Sequence, residues 1–194
     1  VIDPSDKRDL RRAMRARRAR LAAEAPDAAA RAAQALDLAV LPPFACFSGY
    51  HPLGAELDPG PLMARLRDAG ATLALPVCEG RDLPLVFRAW DPRDILVPDA
   101  LGVPSPPASA ALAQPDLVIA PLLAFDRRGG RLGQGGGHYD RTLETLRARK
   151  PVFVLGLAYA GQELDSVPGE AHDQRLDAIL TETGYIEVQR DQDQ

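Results

Sequence analysis

Apolar positions recur in two different rhythms along the chain. In the first forty residues they are sparse and spaced three or four apart. Leu10, Met14 and Leu21 share one stripe of a helix, with Lys7, Arg11, Arg15 and Arg18 on the neighbouring stripe. The spacing predicts a helix from Asp3 to about Leu21, with Asp3 as cap, Pro4 at the first helical position and Asp6 favouring the positive helix start. An alanine-rich second helix is expected from Pro26 to Val40, stopped by Pro42-Pro43. From Phe44 the rhythm changes to short runs that are apolar throughout: 44–47, 71–77, 85–90, 116–120, 152–157 and 178–181. Helices fit Pro59 to Ala69 and Tyr139 to Arg149, and 98–115 reads as a Pro-, Ser- and Ala-rich loop. Strands buried on both faces and alternating with helices predict an α/β fold: one domain over 1–194, a mostly parallel sheet covered by helices on both faces in three layers, and a frayed polar tail from Gln189 to Gln194.

The length of 194 residues suits a single core and leaves little room for two domains. With 46% hydrophobic and 26% charged residues the chain is not a disordered segment. No apolar run reaches the roughly 20 residues of a membrane span and no signal-peptide core is present, so a cytoplasmic protein without membrane partners is expected. Cys46 and Cys78 lie in apolar stretches and read as buried free thiols. Trp90 and Phe87 read as core aromatics.

Charge is divided unevenly. The net of −4 separates into +5 over residues 1–20, which hold eight of the 23 basic residues, and −9 over the remainder. A basic helix on an acidic body does not suit nucleic-acid wrapping, which needs a broad basic face, but it suits a local anion site.

Six of the 16 glycines fall between 129 and 137, in a segment running from Phe125 to Arg141 after one expected strand and before an expected helix. Ligands of α/β sheets bind beyond the carboxyl ends of strands, and glycines there let backbone N–H groups approach a phosphate at a helix N-terminus. The segment lacks the Gly-Lys-Ser/Thr of the common phosphate loop.

Arg131-Leu132-Gly133-Gln134-Gly135-Gly136-Gly137-His138-Tyr139-Asp140 resembles the glycine motif of the 5-formyltetrahydrofolate cyclo-ligase (methenyltetrahydrofolate synthetase) family. Lys7-Arg8-Asp9-Leu10-Arg11, the acidic segment from Tyr50 to Asp58 with Glu56 as the matching acid, Gly156 to Tyr159, Val167 to Asp173 and Ile179 to Glu182 resemble further elements of that family, in order over nearly the whole chain. Many relatives carry Lys at the Gly136 position and Tyr at the His138 position. Arg127, Arg128 and Arg141 are the candidates to replace the Lys, and the sequence does not choose among them.

The resemblance implies an ATP-hydrolysing ligase that closes 5-formyltetrahydrofolate to 5,10-methenyltetrahydrofolate through a phosphorylated formyl group, acting as a monomer or weak homo-oligomer with no nucleic-acid partner. It implies ATP contacts from Lys7, Arg11, Arg131, Leu132, Gly133, Gln134, Gly135, Gly136, Gly137, His138 and Tyr139, folate contacts from Tyr50, Glu56 and Tyr139, and Mg²⁺ ligation by Asp140 and Asp173. Plainer readings stand beside these: a solvated helix face for the cations, a helix-start residue for Asp140, a cap on a helix beginning near Gln174 for Asp173, and half-buried core positions for the tyrosines. His51, His138 and His172 show no mutual metal spacing and none is read as a catalytic base. An isomerase or acyl-CoA-transferase-like enzyme lacks a visible acid–base pair here. An RNA- or protein-binding module lacks aromatic residues among its arginines.

Overall fold

The computed structural model describes residues 4–170 and 172–188. The expected Asp3 cap and the Gln189–Gln194 tail lie outside the described residues. In chain order the elements are α1 (Pro4–Glu24), α2 (Ala28–Ala35), β1 (Cys46–Ser48), α3 (Gly60–Asp68), β2 (Thr72–Val77), β3 (Val86–Ala89), β4 (Val97–Pro98), β5 (Pro104–Ser105), β6 (Leu117–Pro121), β7 (Ala124–Phe125), β8 (Arg131–Leu132), α4 (His138–Arg147), β9 (Phe153–Leu157), β10 (Ala178–Thr181) and β11 (Gly184–Glu187).

Seven strands form one sheet in the order β11-β10-β9-β6-β1-β2-β3. The five inner strands pair in parallel, and β3 and β11 close the two edges antiparallel. Because successive side chains point to opposite faces, each inner strand feeds two cores. Leu73, Leu117, Ile119, Leu155, Leu157 and Leu180 pack with α2 and α3 on one face. Ala74, Val118, Ala120, Val154 and Ile179 pack with Leu143 of α4 on the other. This is the expected three-layer α/β arrangement.

Several boundaries differ from expectation. The second helix stops at Ala35, not Val40: the Asp37 carboxylate accepts from the Ala39 N–H at 3.0 Å and starts a separate 3₁₀ turn over Leu38–Val40. The stretch 98–115 is not wholly irregular. Its start pairs as β4–β5, and further on Ala89 N–H donates to Ala111 O and Ala113 N–H to Phe87 O, covering the exposed edge of β3. No described helix is long and apolar enough to cross a membrane.

Most of helix α1 lies outside the two covering layers, with only Leu21 and Ala22 at its end packed on the first core. Its apolar stripe sets Met14 and Leu10 against Leu123, Ala124 and Leu132 of the small β7–β8 ladder, while Leu21 lies over Gly161 in the turn after β9. The helix therefore runs across the carboxyl ends of the central strands, with its basic stripe turned toward whatever those ends hold.

Candidate active site

Strand β1 is followed in sequence by β2 on one side, but its other neighbour is β6. The chain thus reverses its winding direction between β1 and β6, and the crevice outside the carboxyl ends at such a reversal is where open α/β sheets bind ligands. A cavity of about 390 Å³ opens there, with Tyr50 after β1, Pro76 in β2 and Pro121 at the end of β6 in its wall. Every residue to which the resemblance assigned a nucleotide, folate or metal contact lines this one cavity; the three candidate replacements for the relatives' lysine, Arg127, Arg128 and Arg141, do not.

The glycine segment is built from Asp126 outward. Its buried carboxylate accepts from the N–H groups of Arg128 and Gly130, both at 2.9 Å, and of Val167 at 2.8 Å. Gly129 sits at φ +83 with Leu176 O only 2.6 Å from where a Cβ would stand, so no other residue fits this turn. Strand β8 then delivers the chain into residues 133–137. The N–H groups of these five residues donate no hydrogen bond among the described residues. Gly135 (φ +106) and Gly137 (φ +65) give the loop its path into the N-terminus of α4. A run of free backbone donors ending at a helix N-terminus is an anion cradle.

Helix α1 holds this loop from above. Arg11 Nε donates to Gly133 O at 3.1 Å, and Arg15 donates to Gln134 Oε1 at 3.0 Å and Gln134 O at 3.3 Å. Of the three candidates to replace the relatives' lysine, Arg127 is paired with Glu163 at 2.6 Å and Arg128 is exposed outside the cavity wall. Arg141 alone lies on the loop, its Nη2 donating to Gly136 O at 2.7 Å and Arg81 O at 3.2 Å. His138 Nδ1 is 3.1 Å from Leu83 O, so the histidine ties α4 to the β2–β3 connection.

The solvated-face reading of the basic stripe fails at two positions. Lys7 is buried, with Nζ 2.6 Å from Glu170 and 3.6 Å from Asp173. The Lys7 ammonium, through its hydrogen bond and its charge, holds the Glu170 carboxyl below its ordinary range. Arg18 is buried as well and pairs with Glu56. Arg12 and Arg20, on other faces, remain exposed and, among the described residues, pair only with Asp9 and Glu24 of the same helix.

Asp140 lies in the first turn of α4 and accepts from Arg131 Nη2 at 2.7 Å and from Gln174 N–H at 3.0 Å, both at Oδ1. The Arg131 guanidinium carbon stands 5.7 Å from the Tyr139 ring centroid, a cation–π contact. No helix begins at Gln174, so the plainer alternative for Asp173, a helix cap, does not hold. Its Oδ2 accepts from Glu170 N–H at 2.8 Å and closes a turn that stops short of a helix. Among the described residues no three His, Cys, Asp or Glu side chains gather as a metal cage. Two hard carboxylates in one cavity, with Asp140 Oδ2 carrying no hydrogen bond among the described residues, nonetheless fit Mg²⁺, which binds through one or two carboxylates and completes its shell with phosphate and water.

Glu56 marks the other end of the site. It is buried, its Oε2 accepting from Leu53 N–H at 3.0 Å and its Oε1 from Arg18 Nη1 at 3.3 Å and Gln134 Nε2 at 3.4 Å. Tyr50 and Tyr139 stand in its field. Burial first, and the Glu56 charge second, push both phenols up, so they stay neutral. Tyr50 Oη donates to Leu57 O, which fixes the ring. Both cysteines are free as expected. Cys78 is buried and lines the cavity, and Cys46 is half-buried, its thiol pushed up mainly by burial. Sequence reasoning named the basic stripe but not the partners Arg18–Glu56 or Lys7–Glu170, and it missed Asp126. An acidic residue three positions before two consecutive glycines was the available signal for Asp126.

The sequence model of the 5-formyltetrahydrofolate cyclo-ligase family matches residues 3–182. The chain belongs to this family. Over 139 residues, 68% of this chain and 71% of the relative, it is 34% identical to the 5-formyltetrahydrofolate cyclo-ligase of Mycolicibacterium smegmatis. Over 131 residues, 65% and 71% of the two chains, it is 37% identical to the cyclo-ligase of Escherichia coli. The solved 5,10-methenyltetrahydrofolate synthetases of Aquifex aeolicus (TM-score 0.76, 24% identical, covering 97% of this chain and 95% of that one) and Mycoplasma pneumoniae (0.72, 21%, 91% and 99%) share its fold. As a cyclo-ligase family member the chain is an enzyme, and its cavity is the place to look for its chemistry.

Proposed function

We propose that this cyclo-ligase family member converts 5-formyltetrahydrofolate and ATP to 5,10-methenyltetrahydrofolate, ADP and phosphate in the cavity at the β1–β6 reversal. The observation that carries the reading is the run of five backbone N–H groups, 133–137, without acceptors among the described residues, sharing one cavity with Lys7, Arg11 and Arg131. These groups suit a triphosphate. Glu56, Tyr50 and Tyr139, a carboxylate acceptor and two neutral aromatic rings lining the same cavity, suit the donor edge and flat face of a reduced pterin.

The chemical obstacle is the formyl oxygen, a poor leaving group. Its attack on the γ-phosphorus of ATP forms an O–P bond and releases ADP. The N10 lone pair then attacks the activated formyl carbon, the C–O bond breaks, and the oxygen departs within phosphate as N10 loses its proton. Phosphoryl transfer asks little covalent work of a protein, so positioning and charge neutralisation dominate. Loop N–H groups and Lys7 hold the phosphates. Arg131, fixed between Asp140 and the Tyr139 ring, presents a rigid cation at the same place. Asp140 and Asp173 would hold Mg²⁺, which supplies neutralisation of phosphate charge.

The test is the appearance of methenyltetrahydrofolate absorbance from 5-formyltetrahydrofolate. The reading expects product only when ATP and Mg²⁺ are both present, with one ADP formed per product. Product formed without ATP, or none under any condition by protein that binds neither substrate, overturns it.

A further inference from the structure

Residues 133–137 contain a single side chain beyond hydrogen, that of Gln134. Its amide spans the interval between the two halves of the cavity. Oε1 accepts from Arg15 Nε at 3.0 Å, and Nε2 donates to Glu56 Oε1 at 3.4 Å. The orientation is fixed by its neighbours, since turning the amide over would set NH₂ against a guanidinium and oxygen against a carboxylate. Its backbone carbonyl is held by the same arginine at 3.3 Å. On the far side, the Glu56 oxygen it reaches is also the one bound by Arg18. The result is one continuous chain, Arg15–Gln134–Glu56–Arg18, in which positive and negative groups alternate about a polarised amide.

Two consequences follow from the placement. Gln134 carries the one side chain of 133–137 beyond hydrogen, so any adjustment of that backbone to an anion on its N–H groups is passed on through its amide. Glu56 cannot follow freely, because Leu53 N–H and Arg18 pin both its oxygens. Of the hydrogen bonds shown at Glu56, the one from Gln134, at 3.4 Å, is the one whose donor sits on the glycine loop, so it is the one a loop adjustment alters. Whether Glu56 Oε1 is shared with Gln134 or released to a ligand therefore depends on the state of the loop.

We infer that Gln134 is a positioning residue that couples occupancy of the glycine loop to the acceptor strength of Glu56, so that nucleotide and folate bind with mutual energetic dependence through one amide. The inference rests on the functional reading above. By linkage the coupling is reciprocal, and a factor of about 5 or more is the ordinary scale for such communication.

The experiment is calorimetric titration of 5-formyltetrahydrofolate into the whole protein with and without saturating β,γ-imido-ATP and Mg²⁺, and the reverse titration. It is run on the unmutated chain, on Gln134→Met, which keeps length but neither accepts from Arg15 nor donates to Glu56, and on Arg15→Ala, which frees the amide to turn. The quantity compared is the ratio of affinities within each protein, which a general loss of binding or stability does not set. The expected result is a ratio of about 5 or more, equal in the two titration directions, for the unmutated chain. It should collapse to about 1 in Gln134→Met and fall in Arg15→Ala. A ratio of about 1 in the unmutated chain, or one preserved in both variants, overturns the coupling role while leaving the functional reading intact. An unmutated chain that binds neither ligand overturns the functional reading and the inference with it.

Discussion

Arg18 Nη1 lies 3.3 Å from Glu56 Oε1, with both side chains more than nine-tenths removed from solvent, and this pair fastens helix α1 to the loop that follows β1. The same nitrogen donates to Leu122 O at 3.2 Å, just past the end of β6. One guanidinium thus gathers three segments, which come from residues 18, 56 and 122, at the mouth of the cavity.

Breaking a buried pair leaves an uncompensated charge, which costs about 3–5 kcal/mol. Arg18→Ala and Glu56→Ala should each lower stability by about that much. The double change Arg18→Met/Glu56→Leu, which removes both charges and refills the volume, should recover most of it. Urea unfolding of the four proteins checks this, and equal losses in the singles and the double would deny the pairing. Separately, Glu56→Gln should weaken folate binding about 10-fold, the loss of a hydrogen bond to a charged acceptor, while ATP affinity falls much less.

Lys7 is sheltered and opposed by Glu170 and Asp173, whereas Arg12 and Arg20 are solvated. Lys7→Ala should therefore raise the apparent KM for ATP by about 10-fold or more, on the scale of a charge-assisted hydrogen bond. The double change Arg12→Ala/Arg20→Ala removes more charge yet should alter KM less than about 2-fold, as expected of exposed pairs. Steady-state kinetics at two salt concentrations decides. Matching effects would mean that diffuse positive charge, and not Lys7, attracts the nucleotide.

Asp140 lines the cavity and fixes Arg131 through Oδ1, and its Oδ2 has no hydrogen bond among the described residues. Asp140→Asn should depress turnover by about 10²-fold or more and raise the Mg²⁺ concentration needed for half-maximal rate, with a smaller change in folate affinity. Chelation by EDTA should abolish turnover of the parent enzyme. A variant with normal rate and normal Mg²⁺ dependence would return Asp140 to the role of a helix-start residue.

At the opposite end of the sheet the Asp116 carboxylate accepts from Ala45 and Cys46 N–H and from Lys150. Burial alone would raise its pKa. The Lys150 ammonium and the two N–H groups outweigh burial and hold it below 3.8. A carboxyl depressed in the folded state adds stability above its unfolded pKa and loses it as pH falls through the folded value. The stability difference between the parent and Asp116→Asn should accordingly be largest at neutral pH and shrink below pH ~4. Denaturation across the range checks the sign, and a gap that widens in acid would contradict it.

The parallel core was legible because its strands are buried on both faces and read as continuous apolar runs. Leu117 to Ala120 served both cores in alternation, and no partner information was needed to find them. Strands of two residues, such as Ala124–Phe125 and Arg131–Leu132, carry no period at all and were invisible. Strand β11 escaped because Gly184–Glu187 is a half-exposed edge with little apolar signal. The cavity's residues were legible through the glycine segment and the ordered resemblance. What was missing was pairing: Arg18 and Glu56 are 38 residues apart and Lys7 and Glu170 are 163 apart, and only the fold makes them neighbours.

A wall of the cavity is a helix held, besides the Arg18–Glu56 pair, by a few apolar side chains, Leu10 and Met14 on the β7–β8 ladder and Leu21 over Gly161. Measured affinity for any ligand that Lys7 or Arg11 touches then includes the docking equilibrium of α1, since only the docked fraction of molecules is competent to bind. Trimming Met14, which does not line the cavity, to Ala should weaken nucleotide binding without changing one ligand contact. Saturating ligand should in turn slow amide hydrogen exchange along α1 more than in the central strands, whose protection already reports global unfolding. Affinity in this enzyme is thus partly a property of how firmly its first helix is seated.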